Sequence, residues 1–203
     1  DGTLNISGTS QAGINLLADA VGASEEDIKF IRFELLQYQL GPEQTAQLDL
    51  ISDILIQKPG ISVNAVQTLD YKKEQKLIEV YLAKKGFFLQ ENHGSDTIDI
   101  ELDEVDIAKV LHLEETQKLI VFLEGKTHSE ANQLSFTELV KLYVSEENII
   151  ATHNRVMKAR ASNISTYIAE KELSDRFIVT PEIMDDVTRN KPRFNMEYQV
   201  KEN

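Results

Sequence analysis

Apolar positions in this chain recur at two periods, and the switches between them mark out its elements. Ile14, Leu16, Leu17, Ala20 and Val21 fall at helical spacing and stop at Gly22, which predicts a short helix. Ser24 followed by Glu25, Glu26 and Asp27 marks a turn or a helix start. Residues 30–36 alternate in part and are rich in aromatic and branched side chains, the pattern of a strand. Gly41-Pro42-Glu43 opens a helix, proline being suited to a first turn. Ala46, Leu50, Ile51, Ile54 and Leu55 share one of its faces, and Lys58-Pro59-Gly60 stops it. Residues 61–66 alternate as a second strand. A further helix over about 71–85 groups Leu77, Ile78, Tyr81 and Leu82 and is expected to end at Gly86.

The second half is less regular. Phe87-Phe88-Leu89 reads as a short strand, and residues 98–102 alternate with their charges on one side. Residues 105–111 read as one or two helical turns. Residues 119–123 are apolar on both faces and fit a strand or a buried helix equally. Ser135 caps a short helix over 136–143, and Ser145-Glu146-Glu147 starts the longest helix, which runs to about Lys171. Residues 176–179 and 193–200 are strand-like. Strands alternating with amphipathic helices favour a sheet covered on one side, so the physical reading is an α+β fold. Residues 1–10 are small, polar and glycine-containing and read as an extended opening segment.

Composition narrows the function classes. Apolar residues make up 41% of the 203, enough for a true core in one large domain or one domain with a sizeable insertion. The 34 acidic side chains outweigh the 21 basic ones, giving a net charge of −13. A field of that sign repels phosphate backbones and anionic lipid, so a whole-surface nucleic-acid or membrane role is disfavoured. Lys73, Lys76, Lys84 and Lys85 form the one local basic stretch, read as a solvated helix face. The absence of cysteine removes disulfides, thiol catalysis and thiolate-bound zinc. The chain opens on Asp1 rather than Met and is read as a piece of a longer protein, with any membrane anchor expected upstream.

Chemistry-bearing patterns are few. The acidic run Asp96, Asp99, Glu101, Asp103, Glu104 and Asp106 fits no calcium-loop frame, and reads as a solvated face. His93, His112, His128 and His153 offer no pair at metal-ligand spacing, and no glycine-rich phosphate loop or nucleophile elbow is present. No metal or cofactor is expected, and a hydrolase with an unrecognised site is the weakest of the functional readings. One position departs from its surroundings. The helix starting at Glu146 gathers Ile149, Ile150, Val156, Met157, Ala161, Ile164, Tyr167 and Ile168 into one apolar arc, and Arg160 and His153 project into it. A guanidinium directed at a core needs a carboxylate, carbonyl oxygens or a ligand. Either Arg160 lies at the edge of the arc and pairs internally, or it recognises an anion.

Several strings, in order, resemble a known domain. The strand at Phe33, then Leu40-Gly41-Pro42-Glu43, Leu48, Ile51, Leu55 and Pro59, then Ile61-Ser62-Val63, resemble the opening of the OmpA-like C-terminal domain. Arg160-Ala161-Ser162-Asn163-Ile164 with Tyr167-Ile168 resembles that family's second helix, and Leu173-Ser174-Asp175-Arg176-Phe177 the turn that follows. A closer resemblance is to very large AsmA-like envelope proteins, a group classed as a domain of unknown function. These carry an OmpA-like module with a long insertion, and residues 134–147 and 14–21 are similar to their short helix and lead-in helix. The resemblance implies an OmpA-like β/α sandwich of about four strands in strand–helix–strand–helix order, with helices on one face. It places a lead-in segment at 1–27 and the domain at 28–203, interrupted by a long mixed insertion at about 87–145. It implies a non-enzymatic periplasmic structural or interaction module serving envelope integrity or lipid transport between membranes, with peptidoglycan or another envelope protein as partner and no nucleic acid. OmpA-like domains clasp a diaminopimelate group of peptidoglycan with an aspartate and the arginine of the second helix. Arg160 matches that arginine, Thr68 stands at the aspartate position, and Asp70 lies two residues beyond. The residues that normally precede the arginine are replaced by Asn154 and Val156-Met157. The alternative function implied is a peptidoglycan tether using Arg160 with Asp70.

Overall fold

The computed structural model describes residues 11–98, 100–128 and 134–200. The chain forms two units, one of residues 1–72 with 155–203 and one of residues 73–154. The insertion expected over 87–145 falls inside the second.

The first unit is a mixed sheet with helices. Helix α1 (Gln11–Val21) ends as its apolar period does, with Gly22 at φ 66° and the Ala23 amide donating back to the Ala18 carbonyl at 3.0 Å. Helix α2 (Glu25–Lys29) is opened by Ser24, whose hydroxyl and amide exchange bonds with Asp27 in a capping box. It leads into strand β1 (Phe30–Arg32), which is shorter than the strand expected over 30–36. Leu36 adopts a left-handed backbone at φ 64°, so the chain turns away from the ladder soon after Phe33. Helix α3 (Pro42–Gln57) starts at Gly41, whose amide donates to Gln44 Oε1 at 2.8 Å, and buries Leu48, Ile51, Ile54 and Leu55.

Strand β2 (Ile61–Leu69) is central, flanked by β3 (Phe177–Asp185) in parallel and β4 (Arg193–Val200) antiparallel, and the sheet order is β1-β4-β2-β3. Alternation puts Val63 and Ala65 opposite Tyr198 and Met196 on one face. These side chains join Ile31, Phe33 and Phe194, the buried face of α3, residues of α1, and Ile164 and Ile168 of helix α8 (Glu146–Glu170) in one core. Phe33 and Phe194 meet edge to face at 5.9 Å, and the Tyr198 hydroxyl donates to the Ile28 carbonyl at 2.8 Å. Strand β3 carries two extra residues between the partners of Ala65 and Gln67, where Pro181 lies. A residue without an amide proton is tolerated there because β3 is an edge strand.

The second unit is helical in its described residues. It comprises α4 (Tyr71–His93) from Lys73, α5 (Glu104–Leu111), α6 (Gln117–Thr127), α7 (Phe136–Tyr143) and α8 as far as Asn154. Two expectations are corrected here. The strand expected at Phe87-Phe88-Leu89 is the continuation of α4, because Gly86 does not end the helix. A side chain at Gly86 would collide with the Tyr143 ring, and its absence lets that ring lie against the helix. The stop falls instead at Gly94, with φ 67°. Residues 98–102 do not form the expected strand: Ile98 lies in a turn, Glu101 and Leu102 have no regular structure, and Asp99 lies outside the described residues. Of the two readings of 119–123, the helix holds: Leu119 and Leu123, one turn apart in α6, are buried while Val121 is exposed. Phe122 packs edge to face on Phe87 at 5.6 Å and on Tyr143 at 5.5 Å.

Candidate functional site

Arg160 sits on the same face of α8 as Ile164 and Ile168, one and two turns on, so helical phase alone directs it inward. Its exposure is 0%. Nε donates to the Gln37 carbonyl at 2.6 Å and Nη2 to the Glu34 carbonyl at 3.3 Å, with the guanidinium 5.7 Å from the centre of the Phe33 ring. Asn163, three residues later, donates to the Tyr38 carbonyl at 2.9 Å. The helix thereby grips the turn that follows β1 by its backbone. Carbonyl dipoles and an aromatic face contribute to the charge compensation that a buried cation requires.

Thr68 lies within β2, which runs on to Leu69, and not in a turn after the strand. It pairs with Arg193 on β4 and Met184 on β3, and its alternation puts it on the sheet face opposite the core. Its hydroxyl accepts a bond from Asn195 Nδ2 at 2.8 Å. Asp70 is partly buried in the link between β2 and α4. At the start of α4 the Asp185 carboxylate accepts from the Tyr71 amide at 3.1 Å, a favourable place for negative charge. The Arg160 and Thr68 side chains thus lie on different faces of the sheet.

The arc's other polar member, His153, has a partner in the second unit. Its Nε2 is 3.2 Å from Glu74 Oε2, and the two side chains are 1% and 0% exposed. No group of three or more His, Asp or Glu residues among those described is arranged to hold a metal ion. No helix of the described residues is long and apolar enough to cross a membrane.

The face bearing Thr68 also carries a constellation that the sequence pattern did not single out. Phe30 and Arg32 of β1 pair with Asn195 and Arg193 of β4, so all four side chains share that face. Arg193 stacks on the Phe30 ring at 3.8 Å, and Arg32 stands 5.4 Å from the same ring. Burial first, then the neighbouring guanidiniums of Arg189 and Arg32, lowers the proton affinity of Arg193 below the ordinary arginine value. The alternation of Arg193, Asn195 and Glu197 against Phe194, Met196 and Tyr198 is legible in the sequence; the convergence of Arg32 and Arg189 on it is not.

Compared with known proteins, the chain matches no protein-family model, no curated protein and no solved structure.

Proposed function

We propose that this chain is a non-enzymatic structural or interaction module of a periplasmic, AsmA-like cell-envelope protein, built on an OmpA-like α+β scaffold. The scaffold reading is supported by the order β1, α3, β2, then α8 with Arg160, then β3 and β4, and by helices α1, α3 and α8 sharing one core with one sheet face. The observation that carries the functional choice is the burial of Arg160. A diaminopimelate-clasping arginine has to present its donors to a ligand, whereas here Nε and Nη2 are directed at the Gln37 and Glu34 carbonyls and nothing of the side chain is exposed. With Thr68 directed to the other face of the sheet, the resemblance to the peptidoglycan-binding domains is one of scaffold, and another envelope protein is the favoured partner. The activity of the longer protein, in envelope integrity or lipid movement between membranes, then lies with its other parts.

Co-sedimentation with purified peptidoglycan sacculi tests this reading. The folded chain is expected to stay in the supernatant. Saturable sedimentation that a folded Arg160→Lys variant loses would replace the interaction module with the cell-wall tether.

A further inference from the structure

Arg193 is the anomaly of the sheet's second face. Its Nε is buried without a hydrogen-bond partner among the described residues, as is Asn195 Oδ1 two residues along the same strand. Buried guanidinium donors are nearly always matched, and one left over points to a water, ion or ligand. The Phe30 ring covers one side of the guanidinium, with its centre 3.8 Å from Cζ.

The charges around Arg193 do not balance. Arg32 is bonded to Glu26, and Arg189 Nε to Asp186 Oδ2 at 2.6 Å, so each of those cations has its own carboxylate. Arg193 is in no ion pair of 4.0 Å or less among the described residues. Three guanidiniums therefore face two carboxylates, one positive charge in excess on a chain whose net charge is −13. The cluster is reachable, because the Arg32 and Arg189 side chains are 40% and 35% exposed and Arg193 is partly exposed.

We infer that Arg193, covered on one side by Phe30 and flanked by Arg32 and Arg189, is the centre of a binding site for a carboxylate. A planar guanidinium edge matches a carboxylate by two parallel bonds, and a single negative charge cancels the single excess cation. A doubly charged phosphate would instead be set against Glu26 and Asp186. The proposal stands apart from the envelope reading, since it uses only residues of β1, β4, the turn before β4 and helix α2. The carboxylate comes either from a small free acid or from an acidic peptide segment.

The test is an NMR titration of the whole chain at low salt with acetate, triglutamate and inorganic phosphate. The Arg193 Nε–H and Asn195 side-chain amide signals are followed. Saturable shifts with acetate are expected. In Arg193→Gln the Asn195 response should weaken at least about tenfold, with the remaining spectrum intact. In Glu26→Gln, a surface change that frees Arg32, acetate should bind more tightly. Triglutamate binding tenfold tighter than acetate would assign the site to an acidic peptide, and equal binding to a small acid; both support the proposal. Absence of a saturable shift in the unaltered protein, an unchanged midpoint in Arg193→Gln, or a stronger response to phosphate than to acetate at equal ionic strength would overturn it.

Discussion

Single side chains in this protein are held by charge-assisted bonds whose protonation can be followed. The Ser24 hydroxyl and amide hold Asp27 below the ordinary carboxylate value. Lys171, then the Tyr167 hydroxyl, does the same for Asp49, bonding it at 2.7 and 2.8 Å. Lys126, 3.0 Å away, does so for Asp96. A folded pKa below the unfolded one means that the unfolded chain binds more protons in the interval between them. The stability these groups contribute is therefore whole above an unfolded value of about 3.9 and is lost as pH falls through the lower folded values. Urea unfolding at pH 7, 5 and 3 should show the contribution of these aspartates unchanged over the first step and reduced over the second. Asp27→Asn should flatten part of that loss. Equal stability at pH 5 and 3 would mean that these bonds do not distinguish the folded from the unfolded chain.

Among the elements, the legible ones are those whose period and caps agree. Helix α3 is announced by Gly41-Pro42 and closed by Lys58-Pro59-Gly60, and α7 by Ser135, whose hydroxyl and amide exchange bonds with Glu138. The misread stretch turns on Gly86. A glycine near the end of a helical period looks the same in sequence whether it stops the helix or lets something pack against it, and here it does the second. A Cβ at this position would stand 2.9 Å from Tyr143 Cζ, in a ring that packs on Phe122 and whose hydroxyl donates to Asp96 Oδ2 at 3.5 Å. Gly86→Ala should therefore destabilise the protein. In a Tyr143→Ala background the same change should stabilise it, by up to about 1 kcal/mol of helix propensity. A double-mutant cycle measured by chemical denaturation should return a coupling of at least about 1 kcal/mol. Additive effects would mean that Tyr143 does not lie against α4. Phe87 to Leu89 then read as a strand only because their apolar run is short, the case in which periodicity fails to separate strand from buried helix.

Across the whole molecule, the division into two units follows from where the chain changes architecture. Residues 73–154 are helical in all their described elements, whereas the sheet draws its strands from both sides of that span. The α+β class and the order of the main elements were readable because alternation in 61–66 and 193–200 sits between long helical periods. The candidate site was readable only in part. Arg160 stood out because a cation inside an apolar arc must find compensation, but the Gln37 and Glu34 carbonyls contribute to it, and carbonyls leave no mark in a sequence. The Arg193 constellation was missed for the complementary reason. Arg32, Arg189 and Arg193 are far apart along the chain or unremarkable within it, and only the pairing of β1 with β4 and the turn before β4 bring them together.

The proposed scaffold role depends on Arg160 being an internal strut, and equilibrium unfolding of Arg160→Ala beside the unaltered chain addresses that most directly. Removing the guanidinium leaves the Gln37 and Glu34 carbonyls without those bonds and opens a space beside Phe33. The account predicts a loss of about 3 kcal/mol, seen as a lower denaturation midpoint. Unchanged stability would contradict it, because an arginine that the fold does not need is an arginine kept for a ligand.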